Sequence, residues 1–130
     1  MSSHTLLDEF LNRLASIKPE RKAELFAAEV DFYVPGSPQL PWVGRRGSRA
    51  EVAEFFRVLA ENETMEEFRI DHRFLADDAA VAVGEFTCRF RKSGKKLNSP
   101  FMLRFGFRDG EICRYLFLED SHAAVEAFAM

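Results

Sequence analysis

The chain has 130 residues, 47% of them apolar and 30% charged, with a net charge of −3 and a pI near 5.7. That length and balance suit one globular domain. The acidic balance argues against an electrostatic grip on nucleic acid or on an anionic membrane. Apolar runs are only a few residues long, too short to span a bilayer. The opening MSSHTLLDEF carries acids where a signal peptide needs an apolar stretch, so a cytoplasmic protein is expected. Two cysteines, Cys88 and Cys113, make no disulfide framework and read as free thiols in strands. Phe is the outlying count, 14 residues against two Tyr and one Trp. Phe supplies volume without a polar handle, so the core has either large surfaces to fill or a cavity walled by rings.

Leu6, Leu7, Phe10, Leu11, Leu14 and Ile17 recur at helical spacing, which predicts an amphipathic helix over 4–17. Pro19 opens a second helix, with Leu25 and Phe26 as its inward residues. DFYV (31–34) reads as a short strand ending at Pro35. The stretch PGSPQLPWVGRRG (35–47) then holds three of five prolines, three of seven glycines and the single Trp42, and reads as a loop. Ser48 with Glu51 forms a capping-box pattern, and Val52, Phe55, Phe56 and Leu59 mark a third helix ending near Asn62.

From residue 66 the period becomes two. Phe68, Ile70, His72 and Phe74 share one face of the first long strand. ADDAA, SGKK and the Asp-Gly turn RDGE separate three more strands, AVAVGEFTCRFR, FMLRFGF and ICRYLFLED. SHAAVEAFAM closes the chain as a short helix. Ile112, Leu116 and Leu118 lie on one face of the last strand, and Cys113, Tyr115 and Phe117 on the other. With apolar residues on both faces, the sheet needs a second cover beyond the helices, which predicts a homodimer through the sheet.

The element order, the V-x-F/Y strand running into Pro35-Gly36, the segment PWVGRRG, the helix EVAEFF and the closing YLFLEDSHAAVEAF together resemble the NTF2-like superfamily, in its SnoaL-like and ketosteroid-isomerase-like branch. The resemblance covers nearly the whole chain, read as one SnoaL-like domain over 1–130. It implies an α+β fold, a cone-shaped barrel of curved antiparallel sheet with three helices on its concave face plus a short C-terminal helix. It also implies a deep apolar cavity, with Trp42 at its mouth or anchoring the loop on the core. The superfamily includes isomerases, cyclases, epoxide hydrolases, dehydratases and non-catalytic binding domains, so fold alone does not choose among them.

Asp120 resembles the acid at the end of the last strand in the epoxide-hydrolase branch. The Arg-x-Asp partner pattern of that branch is replaced here by Glu85-Phe86-Thr87. The isomerase branch implies acids near FYVPG and Met102 and a Tyr at Phe10 or Leu14, and this chain departs at each. The residues themselves leave alternatives open. Asp120 either faces a pocket or caps the last helix. His72 is either a core histidine or a proton carrier near neutral pH. Glu85 faces either the cavity or the dimer interface. Tyr33, Trp42 and Phe56 are candidate ligand contacts. No metal-ligand spacing and no phosphate-binding glycine loop occurs, so no cofactor is expected. The expectation is a small-molecule-binding protein with an apolar pocket, as a cofactor-free isomerase or cyclase acting on a hydrophobic carbonyl compound with His72 and Asp120 as acid and base. The alternative is a non-catalytic binding or dimerisation module.

Overall fold

The computed structural model describes residues 2–14 and 18–129. Helix α1 (Ser3–Arg13) starts at the N-cap Ser2, whose hydroxyl accepts from Thr5 N–H. Its stripe of Leu6, Leu7 and Phe10 is buried, as the spacing requires. Residues 15–17 of the expected longer helix, Ile17 among them, lie outside the described residues. Helix α2 (Pro19–Ala23) opens on its proline. Strand β1 (Phe26–Val34) begins earlier than the sequence pattern suggests. Phe26 therefore belongs to the sheet rather than to α2. Its ring packs among Phe10, Phe32, Phe56 and Tyr115.

The proline- and glycine-rich stretch is not all loop. Its end forms strand β2 (Gly44–Ser48), antiparallel to β1. Ser48 then caps α3 (Arg49–Asn62): its hydroxyl accepts from Glu51 N–H, and the Glu51 carboxylate accepts from Gly47 N–H. Strands β3 (Glu63–Leu75), β4 (Ala79–Phe90), β5 (Lys96–Arg108) and β6 (Glu111–Glu119) form an antiparallel meander, and α4 (Ser121–Phe128) ends the description. The β5–β6 turn has Asp109 at φ 54° and Gly110 at φ 76°, the left-handed pair that an Asp-Gly hairpin demands.

The sheet runs β2-β1-β6-β5-β4-β3. All neighbours are antiparallel except β1 and β6, which run parallel. That exception arises because β1 enters from the helical layer and slots beside the last strand. The curved sheet stays open between β2 and β3 instead of closing as a barrel. Helices α1 to α3 cover its concave face, burying Leu7, Phe10, Val52 and Phe55 against Phe105 and Ile112. Among the described residues no helix is long and apolar enough to cross a membrane.

Bulges decide which side chains face inward. In β3, Met65 pairs with Cys88 and Glu67 with Thr87, leaving Glu66 extra; Ile70 pairs with Gly84 and His72 with Val83, leaving Asp71 extra. Each extra residue reverses the alternation beyond it. Glu63, Met65, Phe68 and Ile70 consequently point inward, and His72 and Phe74 point outward. Gly84 makes the second bulge possible, since a Cβ there would lie 1.8 Å from the Arg69 carbonyl oxygen. In β6 the same device acts near Cys113, because Ile112 pairs with Phe107 while Arg114 pairs with Gly106. Tyr115, Phe117 and Glu119 then face the concave side.

Candidate active site

The inward rows of β3 to β6 and the inner face of α3 enclose a cavity of about 70 Å³. Its wall is aromatic: Phe55 and Phe56 from α3, Phe68, Phe86 and Phe117 from the sheet, with Tyr115 and Trp42. Phe68 stacks on Phe101 at 4.8 Å between ring centres, and Phe101 lies directly across from Glu119. Two carboxyl groups, Glu63 and Glu119, are the only acidic groups among the described residues of this wall.

Glu119 is placed by the end of β6. The buried Ser99 hydroxyl accepts from Asp120 N–H at 2.9 Å and donates to the Pro100 carbonyl at 2.7 Å. This clamp fixes the corner where strand becomes helix. Glu119 turns in, and Asp120 turns out to cap α4, accepting from Ala123 N–H at 3.0 Å. The Trp42 indole N–H donates to Glu119 Oε2 at 3.1 Å. Trp42 itself is 1% exposed, with its ring stacked on Phe90 and edge-on to Phe128. Trp42 therefore lies deep in the core side of the cavity, and its loop is anchored rather than free.

Glu63 begins β3 just after α3 ends. Its carboxyl is met by the Cys88 thiol, with Sγ 3.6 Å from Oε2. Burial pushes both carboxyls up to about 7. The causes differ in a useful way. For Glu119, desolvation raises the value, the Trp42 hydrogen bond opposes it, and the nearby Asp120 charge adds to it. For Glu63, desolvation comes first and the charge on Glu119 second, with the Cys88 contact opposing both. Trp42 favours ionisation of Glu119, and that charge in turn holds the proton on Glu63. Two carboxyls both raised to about 7, the charge on one disfavouring that on the other, can supply a base and an acid near neutral pH.

Tyr115 completes the set. It is 4% exposed, its ring is stacked on Phe32 at 4.4 Å, and it reaches the cavity wall. No described residue hydrogen-bonds its hydroxyl, and burial raises the phenol far above its ordinary value, so it stays a neutral hydroxyl with a proton to donate. Cys88 is likewise pushed up by burial and by Glu63, and stays a thiol.

The sequence-derived candidates divide between two sides of the sheet. Trp42 and Phe56 line the cavity. His72, exposed, stands on the convex face, turned there by the Asp71 bulge. Glu85 is on the convex face too, 2.9 Å from Arg69. Tyr33 lies under the Arg45 guanidinium, 4.0 Å from its ring centre, with its neighbours Phe32 and Val34 taking the buried positions. Asp120 is exposed as the helix cap. His72 and Asp120 are thus not brought together. Sequence reasoning missed Glu119, although the alternation Tyr115, Phe117, Glu119 points to it. Glu63 gave no signal, because the strand was expected to start three residues later. Among the described residues no group of three His, Cys, Asp or Glu side chains is placed to hold a metal ion.

A half-open cone of curved sheet with helices on its concave face is the fold of NTF2-like proteins. An NTF2-like protein from Burkholderia thailandensis superposes with a TM-score of 0.87 at 18% identity, covering 100% of this chain and 99% of that one. Another, from Burkholderia xenovorans, gives 0.86 at 13% identity, covering 97% and 95%. A Catenulispora acidiphila protein with a ketosteroid isomerase-like fold, solved in complex with trimethylamine, gives 0.71 at 14% identity, covering 87% and 83%. No curated protein matches the chain. The model of the SnoaL-like domain matches residues 7–115, and the chain belongs to that family.

Proposed function

We propose that the chain binds a small hydrophobic carbonyl compound in this cavity and moves a proton on it without a cofactor, as an isomerase or cyclase would. The observation that carries the reading is the pair of buried carboxyls, Glu63 and Glu119, in a wall otherwise made of rings. Glu119, held by the Trp42 N–H, takes a proton from the carbon beside the carbonyl. The electron pair of that C–H bond moves into the new C=C bond, and the carbonyl oxygen gains the negative charge. Protonated Glu63 and the Tyr115 hydroxyl donate hydrogen bonds to that oxygen. Return of the proton from Glu119 to a carbon of the same conjugated system completes an isomerisation. The rings exclude water, which strengthens each of these contacts.

The test needs no knowledge of the natural substrate. A panel of small ketones and enones in D₂O is followed by proton NMR for exchange of the protons beside the carbonyl, with Trp42 fluorescence reporting binding. Exchange above the buffer rate is expected, falling about 10²- to 10⁴-fold in Glu119→Gln. Binding without exchange sinks the catalytic reading and leaves the non-catalytic module.

One observation favours a specific form of that second reading. Aromatic rings with two carboxylates also suit a small alkylammonium ion, and trimethylamine was found with the Catenulispora neighbour. The sign with pH separates the two. Cation binding strengthens as pH rises through about 7 and both carboxyls ionise, whereas carbonyl binding weakens as Glu63 loses its proton.

We also infer a homodimer through the convex face. Val81, Val83, Met102 and Leu116 form an apolar band there beside the exposed Leu118. In its midst stands Arg104, whose buried Nε–H has no hydrogen-bond partner among the described residues. Light scattering after gel filtration is expected to give twice the chain mass, and Leu118→Glu the single mass. A wild-type monomer at tens of micromolar would remove this inference.

A further inference from the structure

The cavity opens into a larger groove of about 710 Å³ between α1, α2, α3 and β3. Leu14, Phe56, Leu59, Glu63, Met65 and Phe68 line both spaces, so groove and cavity form one continuous path. The inner space is about 70 Å³, roughly half of the ~150 Å³ that accepts a benzene ring. It takes the reacting end of a ligand and not the whole of one. The remainder must lie in the groove.

The path carries charges of both signs. The inner end has the two carboxyls. The groove adds no further acid to Glu63, but it carries two cations, Lys22 and Arg91. Lys22 is 9% exposed, unusual for its type, with Nζ 5.5 Å from the Phe56 ring centre. Arg91 is held against the end of α3, its guanidinium donating to the Ala60 carbonyl at 3.2 Å. One planar hydrogen-bonding group is thereby fixed at the rim, with further N–H donors to offer. The rest of the groove wall is mainly apolar, with Leu11, Leu14, Leu59 and Met65.

We infer that the ligand is an amphiphilic acid: a carbonyl at one end for the Glu63–Glu119 cavity, an apolar chain in the groove, and a carboxylate at the other end for Lys22 and Arg91. This rests on the proposed function for the inner end and adds the anionic end. The opposite orientation is disfavoured, because a ligand carboxylate would be buried beside Glu119 with no cation to meet it.

The probes are methyl-ketone acids of eight to twelve carbons, with the ketone next to the terminal methyl, and their methyl esters. Binding is followed by Trp42 fluorescence at low salt and slightly acid pH. The acids are expected to bind about tenfold more tightly than the esters or better, the usual worth of a charge-assisted contact. Salt is expected to erode the preference. Arg91→Gln and Lys22→Met should each reduce it, and the double variant should bring it near unity. Ester binding, unchanged in these variants, reports that they are folded. Equal binding of acid and ester by the wild type overturns the anionic end alone and leaves the carbonyl reading standing. A preference that survives in the double variant overturns the assignment to these two cations. Failure of both probe types to bind overturns the carbonyl reading and this inference with it.

Discussion

Glu119→Gln is expected to be more stable than the wild type above neutral pH and equal to it in acid. In the native protein burial raises Glu119 to about 7, against an ordinary value of 4.5. At acid pH both the folded and the unfolded chain hold the proton, and stability is indifferent to the group. As pH climbs from 4.5 towards 7 the unfolded chain releases its proton while the folded one keeps it. The unfolded state then binds fewer protons, so stability falls with rising pH across that window. Above about 7 the loss is complete and constant. Glutamine never pays the desolvation of a charge, and its carbonyl still accepts from Trp42 N–H. Glu63 gains as well, because the charge of Glu119 is one cause of its own raised value. Both residues retain some contact with solvent, so the gain at pH 8 is about 1–2 kcal/mol rather than the full ~3 kcal/mol of the shift. Urea unfolding across the pH range measures it. A variant with the wild-type pH dependence would show that Glu119 is not a buried acid. This gain beside the loss of proton transfer expected above is the signature of a functional carboxyl held at a cost to the fold.

Trp42→Phe should act in the opposite direction. Phe retains the ring on Phe90 and Phe128 but removes the N–H that meets Glu119 Oε2. The expected loss is about 1–3 kcal/mol, the cost of leaving a buried acceptor unpaired. It should be larger above pH 7 than in acid, because the acceptor is charged there. The same substitution removes the one interaction that lowers Glu119, so the carboxyl should titrate higher than in the wild type. Carbon-13 NMR of the glutamate side chains reads that shift directly. A loss equal at all pH values would mean that Trp42 supports the loop by packing alone, with no part in setting the base.

The residues that carry these predictions show what local pattern conveys and what it omits. The helix expected over 4–17, found as Ser3–Arg13, and the helix Arg49–Asn62 followed from apolar spacing and from the Ser48–Glu51 cap, all of which act within one or two turns. The Asp109-Gly110 hairpin followed from the φ values that only such residues adopt readily. The faces of β3 did not follow. Strict alternation placed His72 with Phe68 and Ile70, and an extra residue at Asp71 reversed it. That bulge depends on Gly84 in the neighbouring strand, 13 positions further along the chain from Asp71. No window of local sequence contains both partners. Glu119 was half legible, since it continues the inward row of Tyr115 and Phe117, yet its neighbour Asp120 drew attention as the acid before a helix. Only the Ser99 clamp decides which of the two adjacent acids turns inward.

By itself the sequence determined the α+β class, the helices, the hairpin turns and the abundance of rings that a cavity requires. These rest on interactions between residues close in the chain, or on composition. The tertiary structure alone decided that β1 lies parallel to β6, that the sheet remains open, and that Glu63 and Glu119 share one pocket. Those outcomes depend on bulge positions and on contacts across strands, where one extra residue exchanges the inside of the sheet for the outside.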